Sequence, residues 1–417
     1  MTTRLLAGAA ALGTVDLAHH RAAHGPLPVL GRGDADRLVD VVAAAGLRGR
    51  GGAGFPTARK LAAVAEGRKP FVVVNGTEGE PDSAKDRLLL GRRPHLVLDG
   101  AVTAARAVGA REVVVVAPAA VHAPLARAID DRSARDEPEL RLVAAAEGYV
   151  AGEETAVIAH VEGRPPVPRV APPRPAEMGL HGRPTLVQNA ETLAHLGLIV
   201  RHGAEWFRSV GTAERPGTTL VTVSGAVGRR GVHEVPVGTP VDELLRLAGG
   251  RSEPLRGLLV GGYFGAWIGD ATGAALTDRD LRPLGAAVGA GVVIALGAHS
   301  CPVGAVARLT AWMAGQSAGQ CGSCVHGLAA IAGALGRLAD GSGGPEELRL
   351  LRRWTAMVEG RGACAHPTGT AGMVQSATRL FAPELEDHAH HGRCAACAAA
   401  ARAVDGRRPA SSGAVAA

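Results

Sequence analysis

The sequence predicts an α/β protein in which a mostly parallel sheet comes first and a smaller β-rich unit and a helical region follow. Strand-like and helix-like stretches alternate up to about residue 200, closely spaced strands and turns begin at Thr218, and helical patterns separated by short loops begin near Pro302. Strands that alternate with helices form parallel sheets, which bind ligands in the crevice beyond the carboxyl ends of the strands. We therefore expect a ligand site at that edge of the first sheet.

The elements of the first unit follow in order. Residues 36–48 have the apolar spacing of a helix, and the glycine-rich stretch GRGGAGFP comes directly after them, at residues 49–56. A short strand, Phe71 to Val74, leads into the acidic loop NGTEGEPDSAKDR. A helix, a strand, and a strand–loop–helix unit follow, ending near residue 163, and a proline-dense stretch then predicts an extended surface loop.

The later part of the chain has a different pattern of predicted strands and helices. Residues 218–250 predict two strands and a helix, with Thr239 as its N-cap and Gly249 as its stop. The β-rich unit extends to about residue 296, and the helices after Pro302 predict a bundle because their loops are short. The last twenty or so residues are rich in Ala, Arg and Ser, and we expect them to be disordered.

Composition excludes some classes of function. The chain has 417 residues and a formal net charge of +6, but its only lysines are Lys60, Lys69 and Lys85 and its arginines are scattered, which argues against a nucleic-acid surface. The sequence shows neither a signal-peptide pattern nor an apolar run of about 20 residues. We therefore expect a cytoplasmic protein without membrane insertion, whose six cysteines indicate metal or redox chemistry rather than disulfides.

The glycine-rich stretch and the acidic loop are candidate binding elements. Glycine lets backbone amides approach a phosphate or a flat ring, although a tight turn alone would explain the same residues. In the acidic loop, Asn75 can bond a ring edge and Glu78 and Glu80 can accept from ribose hydroxyls. The alternative for this loop is a solvated surface segment.

Two further segments carry polar residues next to predicted helices. Glu153 and Glu154 stand at a helix start, where acids are favoured by the helix dipole and where one of them can instead face a ligand beside Gly152. Gln188 and Asn189 precede another helix, either as caps or as contacts to a ring or phosphate.

The cysteines form two candidate metal sites. Cys321-x-x-Cys324, with Cys364 forty residues further on, has ligand spacing for zinc or an iron–sulfur cluster, the alternative being inert buried thiols. Cys394-x-x-Cys397 is a second candidate metal pair, and it follows three nearby histidines, His388, His390 and His391.

Together these motifs resemble those of the NADH-binding flavoprotein subunit of respiratory complex I and its relatives in NAD-linked hydrogenases and formate dehydrogenases. The resemblance covers roughly residues 35–380 and rests on GLRGRGGAGFPT, EGEP…KDR, GEETA, PRVAPPRPA…GLHGRPTLVQNAETL and CGSC. It implies an α/β FMN-binding domain over residues 1–210, a β-grasp domain over 217–296 and a helical bundle over 297–392 that holds a [4Fe–4S] cluster. Residues 393–417 remain as the expected disordered tail.

The resemblance also assigns site residues. It implies FMN contacts from the glycine loop and from polar residues at the strand and helix ends, namely Gly49, Arg50, Gly51, Gly52, Lys60, Asn75, Glu78, Gly152, Glu153 and Asn189. It places Phe55, Glu80 and Glu154 against the nicotinamide nucleotide. The cluster ligands it implies are Cys321, Cys324 and Cys364.

The sequence departs from the family pattern at several of these places. Ala318 stands where the family has the first cluster cysteine, so that a complete cluster needs a substitute from Cys301, His326 or a tail cysteine, or else contains three irons or is absent. Arg174 and Ala63 replace aromatic residues of the adenine site, Ala171 replaces a lysine near the nucleotide, and Thr77 and Gln188 replace an aspartate and an asparagine near the flavin. Lost stacking partners weaken NADH binding.

The resemblance implies an NADH dehydrogenase-type oxidoreductase. NADH passes a hydride to FMN, and electrons leave singly through an iron–sulfur centre to a ferredoxin or a second iron–sulfur subunit. The alternatives are a non-catalytic flavin-binding scaffold with a degenerate cluster site, and a zinc-stabilised interaction protein.

Overall fold

The first unit is built on a parallel sheet. The computed structural model describes residues 3–7, 13–28, 34–132, 137–170, 172–271 and 273–399. The strands are β1 (Phe71–Asn75), β2 (Glu112–Ala117), β3 (Glu139–Ala144) and β4 (Thr185–Asn189). They lie in the order β3-β2-β1-β4, and every neighbouring pair is parallel. The α/β pattern with a parallel sheet, predicted from the alternation of strands and helices, is confirmed.

Helices cover this sheet. They are α1 (Leu17–His24), α2 (Asp34–Ala45), α3 (Thr57–Ala65), α4 (Lys85–Arg92), α5 (Pro94–Val108), α6 (His122–Asp130), α7 (Glu154–Val161) and α8 (Ala190–Arg208). Helix α2 ends earlier than the predicted residue 48 because Gly46 has a φ of +70°, which stops the helix. A Cβ on Gly100 of α5 would lie 1.7 Å from the Leu193 oxygen, so only glycine lets α5 and α8 pack this closely.

The second unit is a mixed sheet. Its strands are β5 (Thr218–Gly225), β6 (Gly231–Pro236), β7 (Leu255–Val260), β8 (Ala266–Ile268) and β9 (Val292–Gly297), in the order β6-β5-β9-β7-β8. Strands β5 and β9 are parallel and the other pairs are antiparallel. The short helices α9 (Val241–Leu247) and α10 (Asp278–Leu281) connect them. Thr239 does not cap α9 as predicted: Pro240 holds that position, and the Thr239 hydroxyl donates to the Pro236 oxygen at 2.7 Å.

The rest of the described chain is helical. Its helices are α11 (Pro302–Gly315), α12 (Ala329–Asp340), α13 (Pro345–Val358), α14 (His366–Leu380) and α15 (Ala382–His391), and a π-helical turn over Ser323–Leu328 precedes α12. Buried Leu328, Leu335 and Leu351 pack in one core with Trp267 of the second sheet. Among the residues that the structure describes, no helix has both the length and the apolar character needed to cross a membrane.

The predicted disordered tail needs a partial correction. Residues 395–399 are helical, and Cys394 is only 2 % exposed because it packs against the C-terminal helices. Residues 400–417 lie outside the described residues.

Candidate functional site

A cavity of about 990 Å³ lies at the carboxyl edge of the first sheet. Its walls come from the glycine loop, the ends of β1 and β4, the segments 261–266 and 285–290 of the second unit, and the start of α14. All of the cofactor-binding residues predicted from the sequence, except Arg50, line it: Gly49, Gly51, Gly52, Phe55, Lys60, Asn75, Glu78, Glu80, Gly152, Glu153, Glu154 and Asn189. Segments far apart in the sequence therefore converge on one crevice, at the edge where parallel sheets bind ligands.

The glycine loop is a tight turn and a cavity wall at the same time. The Gly49 amide donates to the Phe55 oxygen at 2.9 Å, which closes the loop, and Gly52 has a φ of +115° that other residues rarely adopt. A Cβ on Gly51 would lie 3.3 Å from the Asn189 Cβ. The loop thus presents bare backbone beside Asn189, which is the kind of cradle that a flat ring system requires.

Arg50 anchors this loop instead of lining the cavity. Its backbone amide donates to the Thr192 hydroxyl at 2.9 Å, and its guanidinium donates to the Pro216 oxygen at 3.2 Å. Burial lowers the pKa of Arg50 to about 10. The side chain therefore holds the first unit against the segment that enters β5.

Several predicted ligand contacts also cap helices. Glu78 accepts from the Ser83 hydroxyl at 2.7 Å and from the amides of Asp86 and Arg87 at 3.0 and 2.9 Å, and so fixes the start of α4. Glu153 caps α7 through the amides of Thr155 and Ala156. Asn189 caps α8, and its amide group donates to Asp86 at 2.7 Å. The capping alternative that the sequence raised for Glu153 and Asn189 therefore applies to residues that also face the cavity.

Lys60 and Asn75 join neighbouring segments of the wall. The Lys60 ammonium pairs with the Glu154 carboxylate and donates to the Val187 oxygen at 2.7 Å. The Asn75 amide group donates to the Gly152 oxygen at 2.9 Å. These bonds hold the carboxyl ends of β1 and β4 against the loop that precedes α7.

Glu80 is the most perturbed acid in the cavity. Its side chain accepts from the Tyr263 amide at 3.2 Å, and a Cβ on Gly262 would lie 2.6 Å from its oxygens. Burial raises the pKa of Glu80 to about 8; the hydrogen bond from Tyr263 opposes this shift, and the nearby Asp82 and Glu78 contribute to it. A carboxyl group in this state is largely protonated at neutral pH.

We expect Glu80→Gln to remove a pH dependence of stability. A carboxyl whose pKa rises on folding stabilises the fold below its unfolded pKa, near 4.5, and that stability is lost as the pH rises towards 8. Between pH 5 and pH 9 the free energy of unfolding of the wild type should therefore fall by about 2–4 kcal/mol more than that of the variant. Urea denaturation at both pH values measures this. Glu205→Gln, an exposed position on α8, is the control, and equal pH dependence in all three proteins would contradict the assignment.

Sequence reasoning missed an aromatic group in the wall. Tyr149, Phe264 and His366 line the cavity, and the Tyr149 and Phe264 rings are 4.9 Å apart in an edge-to-face arrangement. Phe264 is 39 % exposed, so its ring offers a face to a ligand. The signal was the unusual run GGYFGAW, residues 261–267, in a chain with only 3 % aromatic residues.

The three predicted cluster cysteines lie together at the other side of this wall. Partial burial would raise the pKa of the Cys321 thiol, but the nearby backbone amides of Ala363, Cys324 and Ser323 lower it below its ordinary value. Burial, the neighbouring Cys321 and the nearby Cys364 raise the pKa of the Cys324 thiol to about 12, and burial also raises the pKa of Cys364, so the three thiols are close enough to affect one another. Three neighbouring thiols fit three corners of an iron–sulfur cluster, whereas Ala318 offers no fourth donor.

Two of the three candidates for the missing fourth cluster ligand, Cys301 and a tail cysteine, belong to a different group of side chains. Cys301 and the tail cysteines Cys394 and Cys397 gather around His388, in a group whose ligand atoms all lie within 4.8 Å of one another. His326, the remaining candidate, is exposed on the π-helical turn. The structure therefore separates the six cysteines into two sites of three.

Comparison with known proteins gives matches along most of the chain. The family model of the Nuo51 FMN-binding domain matches residues 42–197, that of the SLBB domain matches residues 220–258, and that of the NADH-ubiquinone oxidoreductase-F iron-sulfur binding region matches residues 304–388.

Individual relatives match over similar lengths. The NADH-quinone oxidoreductase F subunit of Mycobacterium tuberculosis is 34 % identical over 390 residues, 86 % of each chain. The protein of the same name from Rhodobacter capsulatus is 33 % identical over 411 residues, 93 % of each chain. Among solved structures, a chain of an NAD+-reducing [NiFe]-hydrogenase in the air-oxidised state superimposes with a TM-score of 0.81 at 30 % identity, covering 93 % of this chain and 67 % of that one.

Proposed function

The chain belongs to the family of NADH-quinone oxidoreductase F subunits, and from that membership we propose that it moves electrons between NAD(H), a bound FMN and an iron–sulfur centre. It is a flavoprotein oxidoreductase of the NADH dehydrogenase type. When bound, FMN exchanges a hydride with the nicotinamide nucleotide and single electrons with the iron–sulfur centre. The residues of this chain bind the two nucleotides, orient them relative to each other, and provide the path by which electrons leave the flavin.

One observation carries this proposal. The cavity that the glycine loop and the acidic loop enclose is also lined by Cys364 and its neighbours Ala365 and His366. A ligand that fills the cavity therefore touches the segment that carries a cluster cysteine. This is the arrangement that electron exit from a flavin requires, and a mere nucleotide-binding scaffold has no need of it.

The residues divide into two proposed groups. The bare backbone of residues 49–54, with Asn75, Gly152 and Asn189, cradles the flavin, while Lys60, Glu78 and Glu153 hold the surrounding segments in place. Phe55, 41 % exposed, faces the nicotinamide nucleotide together with Glu80 and Glu154. Phe264 offers the stacking face that Arg174 and Ala63 no longer provide.

The domain assignment is part of the proposal. We propose an FMN domain over residues 1–210, a β-grasp domain over 217–296 and a cluster-binding bundle over 297–392. The mixed sheet with its parallel pair β5–β9 supports the second, and the shared core of α11–α15 supports the third.

We propose an acidic iron–sulfur protein as the redox partner. Val325 and Met357, which are 42 % and 45 % exposed, lie on the π-helical turn and on α13, two elements that pack together at the cluster cysteines. Arg352, Arg353 and Arg361 are exposed and lie close along the chain to Met357 and to the exposed Glu359. Exposed apolar side chains accompanied by an excess of exposed arginines suit an acidic partner. The free state of the six cysteines supports a reducing cytoplasm as the place of work.

The proposal is tested by absorbance spectroscopy on protein purified without oxygen. We expect flavin bands that bleach when NADH is added, together with acid-labile sulfide and iron. Flavin bands that NADH leaves unchanged would favour a non-catalytic flavin-binding relative. A colourless protein that fails to bind added FMN would contradict the proposal.

A further inference from the structure

The C-terminal helices carry a second group of sulfur and nitrogen donors, which we call the Cys3His group: Cys301, His388, Cys394 and Cys397. Its ligand atoms all lie within 4.8 Å of one another, and among the described residues no other group of three or more Cys, His, Asp or Glu side chains is this compact. The group is distinct from the site of Cys321, Cys324 and Cys364. It does not depend on the function proposed above.

The distances within the group match those around a single tetrahedral ion. Cys394 Sγ lies 3.8 Å from the sulfurs of both Cys301 and Cys397. His388 Nε2 lies 3.3 Å from the Cys301 sulfur and 3.5 Å from the Cys397 sulfur. A tetrahedron with zinc–sulfur bonds of about 2.3 Å places two sulfurs about 3.8 Å apart, and a sulfur and a nitrogen about 3.6 Å apart.

His388 is already oriented as a ligand. Its Nδ1–H donates to the Leu338 oxygen at 2.8 Å, so its Nε2 carries the lone pair and faces the sulfurs. Ligating histidines are held in this way by a backbone carbonyl behind the ring. The side chain is 0 % exposed, and in such a position an imidazole nitrogen that faces three thiols has no water to bond.

The chemistry of the donors selects the metal. Three thiolates and one imidazole in a closed tetrahedron are a structural zinc set, and four protein ligands leave no open position for a substrate. An iron–sulfur cluster does not fit this spacing. In a [4Fe–4S] cluster each cysteine binds a different iron, and in a [2Fe–2S] cluster the two ligand pairs bind different irons, so that in both the ligand atoms lie farther apart than the 4.8 Å found here. We propose that Cys301, His388, Cys394 and Cys397 bind one zinc ion as a structural site, separate from the electron-transfer centre.

The location of the group gives the ion its role. Cys301 is the N-cap of α11, directly after the mixed sheet ends, and its sulfur accepts from the Gly304 amide at 3.3 Å. His388 lies on α15, and the two other cysteines follow that helix. An ion here would fasten the end of α15 and the residues after it to the junction between the mixed sheet and the C-terminal helices, and the three thiols would release their protons to solvent as it binds.

Metal analysis of the full chain tests the proposal. We expect one zinc per chain in the wild type and a loss of at least about nine-tenths of it in Cys397→Ser, a position at the edge of the group where folding is least at risk. The midpoint of thermal unfolding should fall by roughly 5 °C or more in this variant. X-ray absorption at the zinc edge of the wild type should show three sulfurs at about 2.3 Å and one nitrogen at about 2.0 Å.

Two controls separate this site from its surroundings. Cys364→Ala removes a ligand of the other cysteine site and should keep one zinc per chain, which rules out zinc misplaced into the cluster site. His390→Ala with His391→Ala removes exposed histidines of the same helix and should also keep it. Iron in place of zinc, no metal at all, or zinc that Cys364→Ala removes would each overturn the proposal.

Discussion

Gly51→Val will deprive the protein of its FMN. The valine side chain would enter the space between the glycine loop and Asn189, where the added Cβ is already 3.3 Å from the Asn189 Cβ. Both residues line the cavity, so the branched side chain displaces the ring that the bare backbone is proposed to cradle. We expect flavin affinity to fall by about 100-fold, because filling a fitted site costs up to about 3 kcal/mol. Flavin content after purification, and titration with FMN, measure it.

Gly51 is a better test than Gly52, whose φ of +115° would strain any other residue whether or not a ligand binds. Gly336→Val on α12 is the matched control, because a Cβ there meets nothing within 4 Å. Gly51→Ala should give an intermediate loss. Full flavin occupancy in Gly51→Val, with an unchanged melting temperature, would show that the loop does not touch the flavin.

Cys364→Ala will separate flavin reduction from electron exit. The residue lines the cavity and is one of only three cysteines at the proposed cluster site, where Ala318 already leaves one position without a thiol. Losing a second position leaves two ligands, too few to retain a cluster. We expect iron content to fall by about nine-tenths, and NADH-driven reduction of a one-electron protein acceptor to fall by about 100-fold.

In the same variant, NADH should still bleach the flavin bands, because the residues proposed to hold the two nucleotides are intact. Cys397→Ser is the reciprocal control: it should keep its iron and lose its zinc. If Cys364→Ala passed electrons to the protein acceptor at the wild-type rate, the exit would not run through this cysteine site.

Local patterns predicted the first unit well. The alternation of strands and helices indicated the parallel sheet, and the fixed rule for such sheets placed the glycine loop and the acidic loop at the same edge. The direction of individual side chains was beyond such reasoning. The Arg50 side chain turns away because the Pro216 oxygen accepts from its guanidinium, and Glu78 turns towards the start of α4. Both outcomes depend on segments whose positions the sequence does not reveal.

The complete Cys3His group also could not be predicted from the sequence, because Cys301 lies far along the chain from its other members. The sequence indicated Cys394 and Cys397 with nearby histidines, but three histidines were candidates and the third thiol is 87 residues away from His388 along the chain. Only the packing of α11 against α15 selects His388 and adds Cys301. The same packing contradicts the disorder predicted for residues 393–399. That prediction was based on amino-acid composition, which cannot show that Cys394 is buried.

The segment 261–267 bears on how this protein can be divided. Its Tyr263 amide reaches Glu80 and its Tyr263 hydroxyl donates to Asp82 at 2.8 Å, while its Trp267 amide donates to Ser376 on α14 at 2.9 Å. A fragment cut before Thr218 would keep every flavin-side motif and yet leave the crevice open along one flank. The nucleotide pocket is thus formed jointly by the first unit, the mixed sheet and the C-terminal helices, and the first unit alone cannot be transplanted as an autonomous module.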